Sequence, residues 1–166
     1  MRVFRLCKQR YSGSVLSGDG GLHANGRWHT QGRPIVYCAS SESLAVLELR
    51  VHIGAFFPRD GFVMHEIDFP DALIEAVDLQ HLPGGWNSVP HSNESQAVGD
   101  AWLEQRRSAA LRVPSVQSTT ELNLLLNPKH ENAKSLTIRS SRSYEFDPRL
   151  FAGLMARTAE RDRKPT

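Results

Sequence analysis

Residues 34–53, PIVYCASSESLAVLELRVHI, change from a strand pattern to a helix pattern with almost nothing between. Ile35, Val36 and Tyr37 supply the β-branched and aromatic side chains of a strand, and Ser40 or Ser41 supplies a hydroxyl to cap the helix that follows. The helix should end near Ile53. A strand that delivers the chain straight into a helix implies a fold in which sheet and helix share one core. Leu44, Leu47 and Val51 fall at i, i+3 and i+7 and are expected to form the apolar stripe. Glu48 lies on the same side of the helix. A carboxylate there must be paired with a cation, hydrogen-bonded or functional, because desolvation otherwise neutralises it. Arg50 or another arginine would be the ordinary partner.

The rest of the chain supports the same class. MRVFRL alternates arginines with apolar residues and suits an opening strand. Residues 11–32 gather Gly, Ser and Asn into a long loop, and a loop of that length inside a domain suggests a ligand grip. DGFVMHEIDFP and ALIEAVDL read as two strands parted by a turn at Pro70 and Asp71. QHLPGGWNSVPHSNES reads as a loop. SQAVGDAWLEQRR reads as a helix with Val98, Ala101 and Trp102 inward and Arg106 and Arg107 at its negative end. AALRVPSV reads as a strand and TTELNLLLNPKH as a short helical turn stopped by Pro128. SLTIRSS and SYEFDPRLF add one or two closing strands. The expectation is a single α+β domain over residues 1–156 with mixed sheets and helices, and a charged tail over 157–166 that frays.

Composition removes several functions. With 20 Lys and Arg against 18 Asp and Glu, the net charge of +2 is too small to mark a nucleic-acid surface by itself, so direct nucleic-acid binding is not expected. Cys7 and Cys38 form no CxxC pair, and seven histidines are scattered without ligand spacing, so no metal is expected. No signal peptide and no membrane-spanning run is read, which fits a cytoplasmic protein. There is no phosphate-binding GxxxxGK[ST] loop, no GxGxxG, no HExxH and no GxSxG turn.

Each remaining candidate has an ordinary reading beside the chemical one. Arg27 in GRW is a surface arginine or a planar clamp for phosphate. Tyr37 is half of a strand's inner face or a stacking surface for a flat ring. Ser115 ends a strand or hydrogen-bonds a polar ligand. His52, one helical turn after Glu48, is a supporting partner rather than a metal ligand.

Taken in order, GGLHANGRWHTQGRPIVYCASSESLAVLELRVHI, VGDAWL, ALRVPSV, ELNLLLNPKH and FDPRLF resemble the signatures of the RES-domain family, named for its arginine, glutamate and serine. The resemblance runs over residues 5–151. It puts the family's arginine on Arg27, tyrosine on Tyr37, glutamate on Glu48 and serine on Ser115, with Ser118 the lesser choice and His29 where asparagine often follows GRW. It implies a fold similar to ADP-ribosyltransferase toxins. It also implies a bacterial toxin that consumes NAD as substrate, without a further cofactor, restrained by a cognate antitoxin of the Xre helix-turn-helix type. A homodimer is compatible with this.

Under that resemblance the catalytic set is Glu48, Arg27, Tyr37 and Ser115, and NAD is bound by Arg27, Trp28, Tyr37, Ser115 and Asn123. Arg27 clamps the pyrophosphate, Tyr37 packs on the nicotinamide riboside, and Ser115 orients the nicotinamide end. The acceptor stays open between water (glycohydrolase), phosphate (phosphorylase) and a protein side chain (ADP-ribosyltransferase acting on a host protein). The alternative from another class is a non-catalytic binding module built on Arg27 and Trp28.

Overall fold

A computed structural model describes residues 1–53 and 61–151. The expected domain end at 156 and the charged tail lie outside the described residues. Among the described residues seven strands form: Arg2–Lys8 (β1), Val36–Ala39 (β2), Phe62–Asp68 (β3), Ile74–Ala76 (β4), Ala110–Pro114 (β5), Leu122–Leu126 (β6) and Thr137–Tyr144 (β7). They make one mixed sheet in the order β4-β5-β6-β2-β1-β3-β7, antiparallel throughout except for the β4–β5 pair. The helices are Gly20–His23 (α1), Glu42–Ile53 (α2) and Asn93–Gln105 (α3). The class is α+β, as expected.

Strand alternation sorts the core. Val36 and Cys38 of β2 join Val3, Ile67, Leu124 and Leu126 on one face of the sheet. On the opposite face, Ala39 meets Leu44 and Ala45 of α2, while Tyr37 packs beside Leu125, Val113 and Trp102 of α3. The two helices therefore cover neighbouring parts of one face, and β2 and β6 run beneath the boundary between them. Cys7 and Cys38 are buried free thiols, and burial pushes the Cys38 thiol up to about 12.

Several expectations need correction. Residues 122–126 are not a helical turn but β6, flanked by β5 and β2. A short apolar run has no periodicity that separates strand from buried helix, and here pairing on both edges decides. In α2, Leu44 is buried, but Leu47 and Val51 are 41% and 47% exposed. Ala45 takes the inner position with Leu44, and Val46, Leu49 and Ile53 pack partly against the same cluster. In α3, Trp102 is buried and Val98 packs partly against the same cluster, as expected, but Ala101 is exposed, and Ser95, Gln96, Gly99 and Leu103 are the other buried positions. Gly99 has a steric reason: a Cβ there would stand 1.8 Å from the Trp28 carbonyl oxygen. The expected loop over residues 11–32 begins inside a 3-10 turn at Gln9–Ser14 and contains α1. The closing segment is a single strand, β7, followed by a 3-10 turn at Pro148–Phe151.

Ser41 caps α2 as expected. Its Oγ accepts the Leu44 N–H at 3.0 Å, a contact worth about 1 kcal/mol, and donates to Glu121 ahead of β6. The cap thus ties the helix carrying Glu48 to the strand carrying Asn123.

Candidate active site

Glu48 sits one turn beyond the buried Leu44, where α2 reaches the boundary above β2 and β6. Its Oε1 accepts two hydrogen bonds, from Ser115 Oγ at 2.8 Å and from Asn123 Nδ2 at 2.6 Å. Ser115 follows the end of β5 and Asn123 lies on β6, so residues far apart in sequence converge on one oxygen. Among the described residues Oε2 has no hydrogen bond and Glu48 forms no salt bridge. Arg50, the ordinary partner, donates its Nε to the Leu150 carbonyl and lies over the Phe151 ring at 4.3 Å.

Ser115 is 6% exposed, and its hydroxyl also accepts the Gln117 N–H at 3.0 Å. Its single proton is given to Glu48, so its first task is to orient the carboxylate. Ser118 accepts the Glu121 N–H. His52 does not touch the carboxylate: its Nδ1 is 2.8 Å from the Glu48 backbone carbonyl.

Tyr37 projects from β2 toward the same region. Its hydroxyl accepts the Trp28 N–H at 3.2 Å and lies 2.9 Å from His29 Nδ1, and burial raises its pKa. Arg27 Nη1 donates to the carbonyls of Trp86 and Ser88 at 2.7 and 2.9 Å, fastening one glycine-bearing loop to another. Desolvation lowers the Arg27 pKa, while the charges of Glu48 and then Tyr37 oppose the shift. Its Nε and Nη2 make no hydrogen bond among the described residues.

Trp28 is 2% exposed and its ring stacks on Trp86 at 6.0 Å, so it belongs to the core beneath the loops. Arg33 is bound to Asp100 at 3.0 Å and Glu104 at 2.7 Å, and its charge is spent on α3.

Sequence reasoning passed over Arg5. Its Nη1 donates to the Tyr37 carbonyl at 2.7 Å, and its Nε is buried without a hydrogen-bond partner. No carboxylate pairs with it among the described residues. Strands β1 and β2 register at Phe4 and Ala39 alone, so this guanidinium bridges the two strands where their ladder opens. The available signal was a charge inside the otherwise apolar alternation VFRLC. Among the described residues no cluster of His, Cys, Asp and Glu could hold a metal ion, and no helix is long and apolar enough to cross a membrane.

The RES domain family profile matches residues 2–147. Toxin Res of Yersinia enterocolitica serotype O:8 / biotype 1B is 38% identical over 151 residues, covering 90% of this chain and 99% of that protein. The Prs ADP-ribosylating toxin of Sphingobium sp. strain YBL2 is 38% identical over 145 residues, covering 85% and 89%. In solved structures, a chain of the M. tuberculosis MbcT–MbcA toxin–antitoxin complex superposes with a TM-score of 0.72 at 21% identity, covering 93% of this chain and 88% of that one. That likeness is one of fold.

Proposed function

Because this chain belongs to the RES domain family, we propose that it is the toxin of a toxin–antitoxin pair and that it consumes NAD by breaking the nicotinamide–ribose bond. The observation that carries this reading is the half-occupied carboxylate. Glu48 Oε1 is held by Ser115 and Asn123, and Oε2 is left for a ligand. Most glycosidases use two carboxylates because a poor leaving group must be protonated. Nicotinamide leaves a cationic linkage as a neutral molecule, taking the bonding electron pair with it, so one carboxylate is enough.

In this mechanism Oε2 accepts a hydrogen bond from a ribose hydroxyl and opposes the positive charge that grows at the anomeric carbon. Fixing Oε1 beforehand means the carboxylate does not reorganise as that charge appears. Arg27 presents Nε and Nη2 to the pyrophosphate while its Nη1 holds the loop. The Tyr37 ring packs on the nicotinamide riboside. Water adding to the anomeric carbon gives ADP-ribose and a proton; phosphate adding there gives its phosphorylated equivalent.

A second reading has an observation of its own, since one relative is named an ADP-ribosylating toxin. Here the acceptor is a side chain of a host protein and the bond-breaking step is unchanged. Expression in cells without antitoxin separates the two. Degradation predicts growth arrest with falling NAD, relieved by a cognate antitoxin of the Xre type. Arrest with undiminished NAD and one heavily modified protein would replace it with the transferase.

A further inference from the structure

We propose that His29 is a positioning residue: as a neutral imidazole protonated on Nε2, it accepts a hydrogen bond from the Tyr37 hydroxyl at Nδ1, and the site is competent only while that bond stands. The inference rests on the proposed cleavage for its kinetic arm. Its structural arm is independent.

The hydrogen bonds determine the tautomer. His29 Nε2 lies 3.1 Å from the Ala24 carbonyl, which can only accept, so Nε2 carries the proton. Nδ1 then offers a lone pair, and the Tyr37 hydroxyl 2.9 Å away must donate to it. The Trp28 N–H fills one acceptor position of the same hydroxyl. Tyr37 therefore has no proton to offer a ligand, and it presents its ring.

The surroundings hold this pair in place. His29 is 4% exposed. Gln96 of α3 donates through Nε2 to the carbonyls of Gly26 and His29 at 3.0 and 3.2 Å. A Cβ on Gly26 would lie 2.5 Å from the His29 ring and 2.7 Å from the Tyr37 hydroxyl, so the loop closes directly over the bond. The charged and titratable groups facing the imidazole are Asp100 on α3, His91 ahead of α3, Arg33 on its own loop and Tyr37 on β2.

Burial lowers the His29 pKa below 6.5, with His91 and Arg33 adding to the shift and the Ala24 bond and Asp100 opposing it. The imidazole is thus neutral at pH 7. Protonation turns Nδ1 into a donor. The Tyr37 hydroxyl can then only accept from it, and its proton has to find another partner. Function is present above the His29 pKa and lost as pH falls through it.

The test follows NAD consumption between about pH 5 and 8, the range in which histidine titrates. Wild type should lose turnover along a one-proton acid limb. H29L, which has no acceptor, should lack the limb and stay roughly ten- to a hundredfold below the wild-type high-pH kcat throughout, the scale of a misplaced group. H29N keeps an acceptor that does not titrate, so it should recover most of that rate and lack the limb. An unaltered limb in H29N, or full turnover in H29L, overturns the proposal. The imidazole nitrogen NMR of unliganded protein decides the same bond without NAD. It should show Nε2 protonated and a pKa that rises in Tyr37→Phe. An Nδ1-protonated ring or an unmoved pKa overturns the lock. No NAD consumption at any pH, with the NMR result as expected, overturns the proposed function and leaves the lock standing.

Discussion

Glu48 is where sequence and geometry meet most directly. Its appearance among apolar helix residues demanded a partner, and the structure supplies a hydroxyl and an amide in place of an arginine. Because Ser115 and Asn123 hold the same oxygen, their contributions to catalysis are coupled. Ser115→Ala and Asn123→Ala should each reduce kcat by about tenfold, and the double variant should lose less than the product of the two. Strictly multiplicative losses would mean that the two side chains act on different groups. Arg27 is tested by R27K. A lysine cannot span the Trp86 and Ser88 carbonyls while presenting a planar edge to phosphate. The variant should raise the KM for NAD and speed amide exchange over residues 84–91. An unchanged KM would remove Arg27 from the pyrophosphate role. Convergence of Ser115 and Asn123 was not readable from spacing, since it depends on β5 and β6 lying side by side.

At the scale of elements, the β2–α2 unit was legible because its signals are local. A β-branched run, a serine cap and a helix end all stand within consecutive residues. β6 was not legible, because leucine is a good helix former and the evidence for a strand lies in its neighbours. The α2 stripe failed for a related reason: periodicity says which residues share a face, whereas the sheet decides which face is covered. Stability should follow the observed packing. Leu124→Ala, on a strand paired along both edges, should cost about 2–5 kcal/mol. Leu47→Ala, on the exposed side of α2, should change stability by about 0.5 kcal/mol or less. Denaturant unfolding of the two variants checks the contrast, and equal costs would contradict the packing described.

At the scale of the whole molecule, the described residues form a single mixed sheet with both longer helices on one face, and the candidate site occupies the boundary between them. The class and the family were legible from five motifs in order, while the layout of the site waited on sheet order. The central claim is that Glu48 drives cleavage of NAD at the nicotinamide–ribose bond. The most direct test incubates the purified protein with NAD, with and without phosphate, separates the products, and repeats this with Glu48→Gln. The account predicts free nicotinamide, with ADP-ribose or its phosphorylated equivalent in a balance set by phosphate. It also predicts about a hundredfold or greater loss of rate in the folded Glu48→Gln protein. Intact NAD in the wild-type reaction, or full turnover by Glu48→Gln, would contradict it.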